Sequence, residues 1–192
     1  MNAKILGRFT MAAVLLAGAA LAASKDTRTP PQAPALSDAD AAIAKKVTHE
    51  ILTYPYYSIW DDLSFRVQNG QVQLLGKVTQ PYKKSDLDHI VKKIPGIATV
   101  DDQIEVLPLS PNDDRLRIQV ARAIYGDATF ARYRFMPLPP IHIIVDNGHV
   151  TLTGVVLNSL EKQVAGVRAT AAGLSFGPVI NNLQVENPPK KS

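Results

Sequence analysis

Ile43, Val47 and Ile51 recur every fourth residue behind Ser37 and Asp38, and Leu116, Val120 and Ile124 do the same behind Asn112 and Asp113. That spacing lays one apolar stripe along a helix, with capping residues ahead of it. Each helix is followed by two alternating apolar stretches around an Asn-Gly pair: "FRVQNGQVQLLGKV" from residue 65 and "IIVDNGHVTLTGVV" from residue 143. Asn-Gly accepts the positive φ angles of a two-residue turn, so each stretch predicts a β-hairpin. A second helical pattern runs from Lys83 to Ile94, where Pro95-Gly96 stops it, and from Ser159 to Ala172, where Gly173 ends it. Alternation resumes at Ile104 and Val106, and at Leu183 and Val185, predicting a closing strand in each half.

These halves are copies. Val67, Asn69, Gly70, Val72, Leu74, Gly76 and Val78 fall on Val145, Asn147, Gly148, Val150, Leu152, Gly154 and Val156 at a constant offset of 78. "VDDQIEV" matches "VINNLQV" at 79, and "DAAIAKKVTHEI" matches "DDRLRIQVARAI" at 73. The expected fold class is therefore α+β: two tandem αββαβ modules, residues 38–107 and 112–187. In each, two helices pack on one face of a three-stranded sheet. Modules of this size bury a modest core, and the connector "LPLSPN" is short and proline-bearing. We expect the copies to sit at a restricted angle, in contact.

Composition changes the picture at the N-terminus. Lys4 and Arg8 precede an apolar run from Met11 to Leu21 with small residues at Ala20 and Ala22, the pattern of a secretory signal cleaved after Ala22. Residues 23–37 read as a proline-rich tether, and 188–192 as a tail. The chain holds no Cys, so disulfides and lipid attachment through a cysteine are excluded, and a periplasmic location is expected. Losing Lys4 and Arg8 lowers the formal charge from +4 to +2, which disfavours a nucleic-acid partner.

The "NGQVQLLGKV" and "NGHVTLTGVV" signatures and the Asp-led first helices resemble the BON domain family, in both copies. Gly96 in "GIATV" fits the family's turn after the second helix, whereas "GLSFGPV" departs from it. The resemblance implies a non-enzymatic envelope protein that binds phospholipid and maintains the envelope under osmotic stress.

The candidate chemistry is thin. "GLSFG" around Ser175 matches a nucleophile elbow in letters, but it lies between helix and strand, the reverse of the order that elbow needs. His142 and His149 flank Asp146 without a complete ligand set, and read as a solvated pair. Asp61-Asp62 and Asp101-Asp102 read as solvated turns. No catalytic residue, metal, cofactor or small-molecule substrate is expected.

"FARYRFMPLPP", residues 130–140, marks where the offset grows from 73 to 78, so the loop before the hairpin is five residues longer in the second copy. On the helix before it, Arg115, Ile118, Arg122 and Tyr125 project away from the apolar stripe. With Phe130, Arg132, Tyr133, Arg134, Phe135 and Met136 they form a mixed aromatic and cationic set suited to the headgroup region of an anionic bilayer, or to a protein partner of an adaptor or chaperone-like envelope protein. The same pattern admits internal packing: Ile118 and Tyr125 against the other module, and the alternating aromatics as a short strand.

Overall fold

The computed structural model describes residues 37–173 and 175–186. The expected signal, nearly all of the tether, and the tail lie outside these residues. The first module runs α1 (Asp38–Thr53), β1 (Asp62–Gln68), β2 (Gln71–Val78), α2 (Pro81–Lys92) and β3 (Thr99–Val106). The second runs α3 (Pro111–Tyr125), a 3-10 turn (Ala128–Phe130), β4 (Ile141–Asp146), β5 (His149–Val156), α4 (Ser159–Ala171), β6 (Ile180–Asn181) and β7 (Gln184–Val185). In each sheet the hairpin is antiparallel and the last strand lies parallel to the second hairpin strand. The helices cover one face: Ile43, Val47, Ile51, Leu87 and Val91 meet Leu63, Val67, Val72, Leu74 and Ile104 in one core. Leu116, Val120, Ile124, Ala165 and Ala169 meet Ile143, Val145, Val150 and Leu152 in the other.

The repeated letters have local causes. Asn69 and Gly70, and Asn147 and Gly148, all have positive φ, the geometry of a tight hairpin turn. Asp40 reaches across from α1 and accepts from the N–H groups of Asn69 (3.0 Å) and Gly70 (2.9 Å). Asp113 accepts from Asn147 and Gly148 at the same two distances. The Asp at the third position of each first helix is thus a clamp on its own hairpin. The glycine within each second hairpin strand is steric: a Cβ on Gly76 would lie 1.9 Å from the carbonyl oxygen of Asp62, and one on Gly154 1.9 Å from that of Pro140.

Several expectations are corrected. Ser37 caps α1, but α3 is capped by Ser110, not by Asn112 or Asp113, and starts at Pro111, whose missing N–H costs nothing there. α2 begins two residues before Lys83 and ends at Lys92, and α4 ends at Ala171 with Ala172, rather than Gly173, as its C-cap. The closing strand of the second module is broken into β6 and β7, and Val106 is exposed at the end of β3. Asp61 is no solvated turn: it is fully buried, 2.7 Å from Lys83 Nζ, and accepts from Ser58 and Thr79 as well. Asp102 is partly buried and accepts from the N–H of Ile104, whose carbonyl in turn accepts from Lys84.

The modules do touch. The loop between α1 and β1 covers the outer edge of β4, with Ile143 N–H donating to the Ile59 carbonyl at 2.7 Å. Trp60 packs on the second core. His142 is buried rather than solvated, because it lies in this joint: its Nδ1 is 2.6 Å from the Asp61 carbonyl, and its ring centroid is 5.3 Å from that of Tyr57. Lys77 spans to Asp146 at 2.6 Å. Beyond that bridge the helix-free sheet faces leave a cleft of 740 Å³, floored by Leu75 and Ile144.

Candidate functional site

The outer rim of the second module is built from α3 and the inserted loop. Leu116, Val120 and Ile124 commit one side of α3 to the core, which leaves Arg115, Ile118 and Arg122 as an outward stripe at i, i+3 and i+7. Beyond α3, Asp127 accepts from the Thr129 N–H and lies 2.6 Å from Arg168 of α4. The Thr129 hydrogen bonds, then Arg168, hold its carboxyl below the usual carboxylate range. Arg134 then folds back, its Nε donating to the Tyr125 carbonyl at 3.0 Å and its guanidinium to that of Gly126 at 3.3 Å. Those carbonyls are the unpartnered end of the helix, where a cation is favoured.

This insertion sorts its aromatics instead of exposing them all. Phe130 is fully enclosed and Tyr133 is 5% exposed, so both are removed from the expected contact surface. The reason is local: the loop coils as turns, not as a strand, and the two rings stack 6.3 Å apart inside the core. The Tyr133 hydroxyl donates to buried Glu161 at 2.6 Å, and burial followed by that carboxylate pushes its ionisation up. Tyr125 is half-buried, its hydroxyl donating to the Ile141 carbonyl, and Met136 leans on the core. What remains outside is Phe135, 88% exposed, Ile118 at 46%, and the exposed Arg115, Arg122, Arg132 and Arg134.

Sequence reasoning passed over other apolar side chains of this module. Leu160 and Val167 are exposed on α4, seven residues apart on the side opposite buried Ala165, and Phe176 is exposed over the hairpin turn. The i, i+7 spacing of Leu160 and Val167 was a readable signal. Around Ser175 the backbone is a turn between α4 and β6, and its hydroxyl donates to the Gly177 carbonyl, so no general base activates it there. Among the described residues no three His, Asp or Glu side chains are grouped to hold a metal ion.

The architecture defines a class: a tandem repeat of one small α+β module. The BON domain model matches residues 39–108 and 112–187, and the chain belongs to that family, whose modules are non-catalytic and bind membrane phospholipid or other proteins. No curated protein matches. Among solved structures, the C-terminal domain of CdsD, the structural protein of the type III secretion system of Chlamydia trachomatis, is 17% identical over 74% of this chain, with a TM-score of 0.30. The match spans 63% of that chain. A second CdsD structure is 17% identical, with 78% of this chain and 94% of that one covered, at a TM-score of 0.27.

Proposed function

We propose that this chain is a non-enzymatic periplasmic protein that associates weakly and reversibly with anionic phospholipid through its second module, in maintenance of the envelope under osmotic stress. The carrying observation is Phe135, 88% exposed directly after Arg132 and Arg134 on a loop five residues longer than its counterpart in the first module. Four arginines near an anionic surface contribute at most about 1 kcal/mol each. Inserting the Phe135 ring adds about 2 kcal/mol. The total of about 6 kcal/mol corresponds to a Kd of tens of micromolar, which salt weakens.

The test is flotation with phosphatidylglycerol-containing vesicles at low salt. Replacing Arg132, Arg134 and Phe135 with Ser removes three exposed side chains, and we expect at least about a tenfold loss of binding. Undiminished binding would refute the assignment. Absent vesicle binding, with one envelope protein captured reproducibly by crosslinking in cells, would give the same rim to a protein adaptor instead.

A further inference from the structure

Polar contacts cross the joint between the modules, and one of them can be switched by a proton. Among the described residues its links include Ile143 N–H to the Ile59 carbonyl, His142 to the Asp61 and Ser58 carbonyls, and Lys77 to Asp146. His142 is the one whose charge changes near neutral pH. In the neutral ring the proton sits on Nδ1, since that nitrogen faces a carbonyl acceptor.

We propose that the joint is an acid-released latch: a proton on His142 parts the two modules and bares the edge of β4 together with Trp60. This reading is independent of the lipid rim, which uses other residues.

The surroundings of His142 are poor for a cation. Tyr57 covers the ring, and across β5 its strand partner is Thr153, whose buried hydroxyl has no partner. The nearby carboxylates are Asp61 and Asp62, and Asp61 is already committed to Lys83, Ser58 and Thr79. Burial therefore outweighs the attraction of the Asp61 and Ser58 carbonyls and of the two carboxylates, and the ring titrates below its ordinary value of 6.5. The sign follows: the closed joint is at full strength above about pH 6.5 and weakens as pH falls through the lowered value. Lys77, raised above its ordinary value mainly by its hydrogen bond to Asp146, stays charged throughout.

Opening has a specific product. On the closing strands, side chains occupy backbone groups: Asp102 and Lys84 take the N–H and carbonyl of Ile104, and Asn181 takes the N–H of Leu183. β4 has no such side-chain cap on Ile143, because Ile59 of the other module occupies it. Parting the modules supplies an unpaired strand edge able to add an extended polypeptide.

Trp60 is the only tryptophan and packs across the joint, so its emission reports opening in the full chain. Between about pH 7.5 and about 4.5 we expect a red shift with unchanged far-UV circular dichroism, and His142→Gln should reduce the shift about fourfold or more. An equal shift in the variant, or none in the native chain, would overturn the latch. Should the variant fold poorly, the imidazole C–H resonances of the native chain decide. His142 titrating together with the Trp60 shift supports the latch, and His142 titrating without any Trp60 change refutes it.

Discussion

Asp113 offers a sharp test of how the repeat is built. Its side chain is 2% exposed and accepts two backbone hydrogen bonds from the Asn147-Gly148 turn at 3.0 and 2.9 Å. A hydrogen bond to a charged group is worth about 1.5–3 kcal/mol. Asp113→Asn keeps the size but turns one amide donor toward an N–H donor, forfeiting about one bond, or about 2 kcal/mol. Asp113→Ala forfeits both, about 4 kcal/mol. A module of this size has only about 4–11 kcal/mol in total, so the alanine variant removes a large share of it. Urea unfolding followed by circular dichroism reads the difference: with a slope of about 1 kcal/mol per molar, Asp113→Asn should lower the midpoint by about 2 M. Asp38→Asn, an exposed first-turn carboxylate with no such contact, should change stability by about 0.5 kcal/mol or less. Equal midpoints for Asp113→Asn and Asp38→Asn would refute the clamp.

Two further outcomes follow from the buried and bound carboxylates. Lys83→Met leaves Asp61 enclosed without its ammonium partner and should cost about 3 kcal/mol, read by thermal unfolding, whereas Lys84→Met at the half-buried neighbouring position, whose ion pair with Asp102 is a loose 3.8 Å, should cost about 1. Asp40, lowered chiefly by the Gly70 N–H, and Asp127, lowered chiefly by Thr129, both have folded values below the ordinary 3.8. Their stabilisation is complete above that value and is lost as pH falls through the lowered ones, so Asp40→Asn should flatten the acid-unfolding curve below about pH 4.

The helices, hairpins and modular repeat were legible because period and turn chemistry are local: Ile43, Val47 and Ile51, and the Asn-Gly pairs, declare themselves within a few residues. The clamp was half legible. Asp113 shows as a residue at a helix start, but its partners lie 34 and 35 positions away, and only packing brings them together. The same distance hid the burial of Asp61, whose partner Lys83 is 22 residues on, and of His142, whose acceptor lies 81 residues back in the other module. In the rim, the alternation of aromatics and arginines from Phe130 to Phe135 does not say which ring turns inward. The coiling of the loop sets it, and for Tyr133 a second cause lies 28 residues on, where Glu161 offers its hydroxyl an acceptor inside the core.

Lys83 and Glu161 occupy the same place in the repeat, 78 residues apart, and both are buried in the first turn of the second helix. Each ties down the loop ahead of its hairpin, Lys83 through Asp61 and Glu161 through Tyr133. An anchor carried on the helix needs one complementary group from the loop, so the rest of that loop is free to change in length and character. In the first module Tyr57, Ile59 and Trp60 of this loop are occupied by the second module. In the second module Phe135 of the matching loop stays 88% exposed. Duplication thus gave one loop to holding the modules together, and left its counterpart as the copy able to take up a surface of its own.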